Sequence, residues 1–369
     1  MPLSKRQPNF ELLRSIAMLM VVVLHYLNDA QLLPERLSML SDRQVLGTML
    51  ESFCIVAVNV YVLISGYFCV RAGFKPVRLL RLIAQVLFYS LLIPLILALL
   101  GFPILAKEEG VYGLIQYILP LSTEHYWFAT EYVLLYLFSP FINSACEKLT
   151  KKQLGTLITL LLIAFCGIKS IVPVALVTDR QGYDFGWFLC LYIIGCYLRL
   201  HGLSFLEKQR RGWLLYIGSA SGIGLLTCVL HYLYVTKGWF DYFFRVPFHY
   251  NFILTALGAV GLFGAFAKIK IPEGRWASLF RFLGPLSLGV YLLHMHIDLR
   301  FRWYQWTQLL FGGNFLGEER GLLGLILNMI LTVLLVYTIG ILVEYGRCKI
   351  FGLFEGVGRK LWKRLSRKG

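Results

Sequence analysis

The chain has 369 residues, of which 58% are hydrophobic and only 15% are charged, and its mean hydropathy is +0.67. Soluble domains carry about a quarter charged residues, so this composition excludes an ordinary soluble protein and points to a polytopic membrane protein. The net charge of +16 does not require nucleic acid, because the basic residues fall between apolar runs and at the ends of the chain.

Lys5 and Arg6 precede the apolar run 10–28. No convincing small-residue cleavage site stands near Asp29, so this run is expected to remain as the first helix rather than be removed as a signal peptide. Crossing a bilayer takes about 20 mostly apolar residues. On that measure further spans are expected at 46–70, 79–101, 126–144, 154–176, 185–202, 213–235, 247–267, 280–299 and 321–345. The stretch 111–121, "VYGLIQYILPL", is too short to cross and reads as an interfacial or re-entrant piece. The expected fold is therefore all-α, a polytopic membrane helix bundle of about ten spans in a single domain over 1–369.

Of the 36 Lys and Arg residues, 25 fall in the even-numbered connections and the two ends, 10 in the odd-numbered connections, and Arg14 lies within the first span. The positive-inside rule then places both termini in the cytoplasm. The segment 345–369 ends in "GRKLWKRLSRKG", a basic cytoplasmic tail with Leu361, Trp362 and Leu365 interleaved, suited to an anionic leaflet. The eight cysteines show no metal-ligand spacing and read as small buried residues; no metal is expected.

Within the first span, "LRSIAMLMVVVLHY", Arg14 and His25 are eleven residues apart. At about 100° and 1.5 Å per residue they share one helix face, separated by a rise of about 16 Å. They mark a polar line across most of the membrane, and an ionisable residue inside a span is a functional candidate by default.

This arrangement, in "NFELLRSIAMLMVVVLHY", resembles the acyltransferase 3 family of integral-membrane O-acyltransferases. The resemblance extends through "LISGYF" (63–68), similar to the family's Ser-Gly-Phe element, "HYWFATEYVLLYLFSP" (125–140), similar to its His-x-Trp-Phe helix, and "LSLGVYLLHMHI" (286–297), similar to its late Tyr-Leu-x-His helix. Glu11 stands where the family more often has Asp, and Tyr67 where it often has Phe. Some members carry an extracytoplasmic SGNH-type domain, for which this chain has no room, so any relay would need a separate extracytoplasmic transferase. The resemblance implies transfer of an acyl group, acetyl first among the candidates, from cytoplasmic acyl-CoA to a hydroxyl of an extracytoplasmic polysaccharide or lipid-linked sugar. It also implies residence as a multi-pass protein in the bacterial cytoplasmic membrane.

On that resemblance His25 is expected as the catalytic base or a transient acyl carrier. A neutral imidazole is what a base needs, and Asp29, one turn on, is within reach to orient it. Arg14 either snorkels to the headgroups or holds a coenzyme A phosphate with its guanidinium fork. Arg71, Lys75 and Arg78, with Arg81 beside them, follow Ser65 and Gly66; they are either ordinary positive-inside charges or the binding site for the nucleotide end of acetyl-CoA. Glu131 is either paired structurally or polarises the acceptor side next to Trp127. Asn59 reads as interhelical glue or an acceptor contact, and His294, in the outer half of the ninth span, as a further acceptor contact. The alternative of a transporter or flippase for a glycan intermediate predicts matching broken helices in two halves, and no such repeat is visible. G-x-S-x-G and H-E-x-x-H are both absent.

Overall fold

The computed structural model describes residues 6–36, 38–123, 125–174 and 179–365. Fifteen α-helices follow one another: α1 (Pro8–Asp29), α2 (Asp42–Cys54), α3 (Ala57–Cys69), α4 (Pro76–Leu99), α5 (Leu105–Glu109), α6 (Val111–Ile118), α7 (Trp127–Lys148), α8 (Lys151–Leu162), α9 (Ile168–Ile171), α10 (Phe185–Leu200), α11 (Gln209–Lys237), α12 (Ile253–Ala267), α13 (Arg275–His294), α14 (Trp303–Phe315) and α15 (Gly321–Leu365). No strand occurs among the described residues.

Local chemistry sets the helix ends. Pro8 and Pro76 open α1 and α4, where the missing N–H would be unpaired in any case. Ser41 with Gln44 and Thr150 with Gln153 form reciprocal caps on α2 and α8. Asp184 caps α10 by accepting from Trp187 N at 2.9 Å.

Eight stretches among the described residues are long and apolar enough to cross a membrane, including Asp42–Cys69, which runs through α2 and α3. The 22-residue α7 and the shorter α10 occupy the remaining two places in the expected map. Three details differ from the sequence reading. The ninth span stops at His294, because the chain turns there through 295–302. A helix not expected from sequence, α14, then precedes the last span. That last helix continues without a break past 345 to Leu365, so the basic tail begins as its extension; the side chains of Leu361, Trp362 and Leu365, like Lys5, lie outside the described residues. The short piece 111–121 forms α6, which buries Gln116 and Tyr117.

α1 is the centre of the bundle and packs on α2, α3, α12, α13 and α15. Its Leu13, Ala17, Val22, Tyr26 and Leu27 are completely buried. Lipid tails are as apolar as these side chains, so close packing and interhelical hydrogen bonds must hold the helices together. Asn9 donates to Phe266 O at 2.9 Å, Tyr61 Oη to Arg14 O at 2.6 Å, and Tyr26 Oη to Asn328 Oδ1 at 2.6 Å, tying α1 to α12, α3 and α15. Such bonds are each worth about 0.6–2 kcal/mol in a membrane. Where α3 crosses α10, a methyl group on Gly66 would overlap the Tyr192 carbonyl, so the crossing requires glycine.

Candidate functional site

A cavity of about 950 Å³ opens beside α1, at the large end of the range for ligand pockets. Arg6, Arg71, Arg78, Arg81, Arg199 and Arg347 line one end, and His25, Trp127 and Tyr250 line the other. Arg14, Tyr61, Ser65 and Ser287 stand between them. The basic end thus gathers residues from the start of α1, the end of α3, the start of α4, the end of α10 and the extension of α15. All of these belong to the set that the charge count places on one side of the membrane.

Glu11 organises the entry. Its carboxylate is 3% exposed and accepts from Arg14 Nη1 at 2.6 Å and Arg6 Nη1 at 3.1 Å. Arg14 therefore has one side of its fork engaged, while its Nε and Nη2 donate to no protein group among the described residues. Arg78 makes no ion pair with any described carboxylate, and Arg71 is only 3.9 Å from Glu147 with both side chains largely exposed. Arg199 lies over the Tyr67 ring at 5.0 Å. Arg347 is held at both ends of the Glu344 carboxylate, at 2.6 and 2.8 Å, and Glu344 also accepts from Gln85 at 3.0 Å and Tyr89 at 2.9 Å.

At the opposite end His25 Nδ1 lies 2.9 Å from His294 Nε2. His294 is 2% exposed, and its Nδ1 is 2.6 Å from Val290 O. Beside them Trp127 meets Tyr250 nearly parallel, with ring centroids 5.9 Å apart, and Tyr183 at 4.4 Å. Tyr183 is 38% exposed, so this aromatic cluster extends from the cavity wall to the surface of the protein.

The tertiary structure therefore brings His25, Arg14, Ser65, Arg71, Arg78 and Trp127 around one space, with His294 behind His25. Other candidates lie elsewhere. Asp29 accepts from Asn28 at 3.3 Å and makes no bond to His25; the ring's partner is His294, presented by α13. Asn59 is fully buried and spends its amide on Tyr250 O at 2.8 Å and Trp187 Nε1 at 3.1 Å, which makes it a bolt between segments rather than a cavity wall. Gly66 is used at the α3–α10 crossing. Lys75 is exposed and meets Tyr136 Oη through its backbone. Glu131 is absent from the cavity wall and has Asp184 and Arg180 as charged neighbours. Among the described residues no group of three or more His, Cys, Asp or Glu is disposed to hold a metal ion.

Sequence reasoning missed Arg347 and Arg199, which it counted only as connection charges. The signal for Arg347 was available: Glu344 is a lone carboxylate in the last apolar run, one helical turn before it.

A family model described as an acyltransferase domain matches residues 7–345, nearly the whole chain. The chain belongs to the acyltransferase 3 family. No curated protein and no solved structure matches it significantly. For this membrane acyltransferase, the cavity beside α1 is the candidate place of transfer.

Proposed function

We propose that this acyltransferase takes an acyl group, acetyl in the first instance, from acyl-coenzyme A at the basic end of the cavity and delivers it to a sugar hydroxyl at the His25 end. By the positive-inside rule the basic end is cytoplasmic. The acceptor is then an extracytoplasmic polysaccharide or lipid-linked sugar, and the membrane a bacterial cytoplasmic membrane. The observation that carries this reading is the continuity of one cavity from the arginine cluster to His25.

Several phosphates close together call for several cations whose donors are not already spent. Arg78 meets that condition, and so do the unused donors of Arg14. Arg71, Arg199 and Arg347 add positive potential around the mouth, while Ser65 and Tyr61 offer hydroxyls along the wall. The rise of about 16 Å from Arg14 to His25 suits an extended pantetheine arm. A donor held by its phosphates at the mouth would thus present its thioester beside His25.

In the transfer, His25 removes the proton from the acceptor hydroxyl as the oxygen attacks the thioester carbonyl. The tetrahedral intermediate collapses with cleavage of the C–S bond, and the proton returns from His25 to the leaving thiolate. Atoms and charge balance without any further reactant. Holding both substrates in line in a water-poor space supplies most of the rate, with acid–base help worth about 10²–10⁴-fold. At the acceptor end, Trp127, Tyr250 and Tyr183 offer aromatic faces of negative quadrupole on which the C–H side of a sugar ring can lie.

The test is purified protein in lipid vesicles with radiolabelled acetyl-coenzyme A and a membrane extract containing lipid-linked sugars. Label should pass to the glycan fraction. Absence of both thioester turnover and label transfer at the wild-type protein would sink the reading.

A further inference from the structure

We infer that His294 is a positioning residue that fixes the tautomer of His25, leaving the Nε2 lone pair of His25 free to face the cavity as the proton acceptor. The chemical role of that lone pair rests on the function proposed above; the tautomer itself does not.

Val290 O can only accept, so the 2.6 Å contact from His294 Nδ1 requires the proton of a neutral His294 to sit on Nδ1. His294 Nε2 is then a bare acceptor. The 2.9 Å contact between that atom and His25 Nδ1 in turn requires His25 Nδ1 to carry its proton. Neutral His25 must therefore hold its lone pair on Nε2, which has no protein partner among the described residues while the residue lines the cavity.

Two features make the chain of bonds rigid. His294 is 2% exposed, with Tyr291 and Trp303 edge-on to its ring. Tyr126 Oη donates to Leu292 O at 2.8 Å, which pins the last turn of α13 from which His294 projects. No described carboxylate lies at ion-pair distance from either imidazole. The orienting group is thus a neutral ring anchored on backbone, where hydrolytic triads use an anion. When His25 takes a proton on Nε2, its Nδ1–H stays bonded to His294 and the ring keeps its orientation for returning that proton to the leaving thiolate.

The test compares three variants with two readouts. Glutamine places an amide oxygen near the position of His294 Nε2 and keeps an acceptor for His25; asparagine places its amide near Nδ1 and loses it; leucine loses both. His294→Gln is expected to retain acetyl-coenzyme A turnover within about tenfold, and His294→Asn and His294→Leu to lose about 10²-fold or more. Coenzyme A binding should be unchanged in the Gln and Asn variants. Independently of activity, ¹⁵N NMR of histidine-labelled protein, with His25 assigned by its absence in His25→Ala, should show Nδ1 protonated and Nε2 bare. A protonated Nε2 in the wild type, or Asn and Leu variants as active as wild type, would overturn the inference. An inactive wild type that still shows a bare Nε2 removes the proposed function and leaves the tautomer assignment standing.

Discussion

Two pairs of histidines sit near the same end of the bundle and have opposite characters. His125 and His296 meet edge to face with ring centroids 4.5 Å apart. All four of their ring nitrogens are engaged: His125 with Ile297 N at 3.1 Å and Gln116 O at 3.3 Å, His296 with Asp298 N at 3.1 Å and Ser90 O at 3.4 Å. Asp298 completes that network by accepting from Leu105 N at 2.8 Å and Tyr117 Oη at 2.7 Å, which ties α5 and α6 to the turn after α13. His25 and His294 use three of their four nitrogens and leave the fourth toward a cavity. Residue type is the same in both pairs. What separates a structural pair from a candidate catalytic one is a single unspent lone pair with space beside it.

The largest effect expected from this contrast is at His25. His25→Ala should lower kcat by about 10²–10⁴-fold while coenzyme A still binds, whereas His296→Gln should leave kcat near wild type; equal losses in both would erase the distinction. Next comes the donor end. Arg14→Ala removes charge-assisted bonds worth about 1.5–3 kcal/mol each, so the donor KM should rise roughly 10–100-fold, and the salt dependence of binding should weaken. Titration of coenzyme A at several salt concentrations reads this directly.

At the saturated network the loss should be in stability rather than rate. Tyr117→Phe leaves one Asp298 oxygen without its 2.7 Å donor, at a cost of about 1–3 kcal/mol, visible in thermal denaturation in detergent with kcat unchanged. The last effect concerns acid. Burial pushes the His125 imidazole down to about 4, from an ordinary 6.5. Below 6.5 the unfolded chain binds a proton that the folded ring refuses, so stability contributed here should fall as pH drops from 6.5 to 4. His125→Gln should flatten that part of the stability profile, and an unaltered profile would show that the ring does not carry it.

Much of this could be read along the chain because it is local. Hydropathy marked out the eight described stretches that are long and apolar enough to cross a membrane, and the eleven-residue spacing put Arg14 and His25 on one face of one helix, which folding did not change. The short 111–121 piece was recognised by length alone. Asp29 was a reasonable partner for His25 by the same local rule, four residues along a helix, and the fold instead supplied a group 269 positions away. Asn59 and Gly66 stood in suggestive places, yet their neighbours Trp187 and Tyr192 on or beside α10 turned them to packing.

The sequence alone determined that the chain is a membrane helix bundle, which end of it is basic, and that one helix carries an arginine and a histidine in line. These follow from residue hydration and helix period, both properties of short segments. Only the tertiary structure decided that five separate segments contribute arginines to one mouth, and that a backbone carbonyl on α13 sets the proton on His25. Those depend on which helix faces are brought into contact, and in a bundle that is fixed by close packing between residues far apart in the chain.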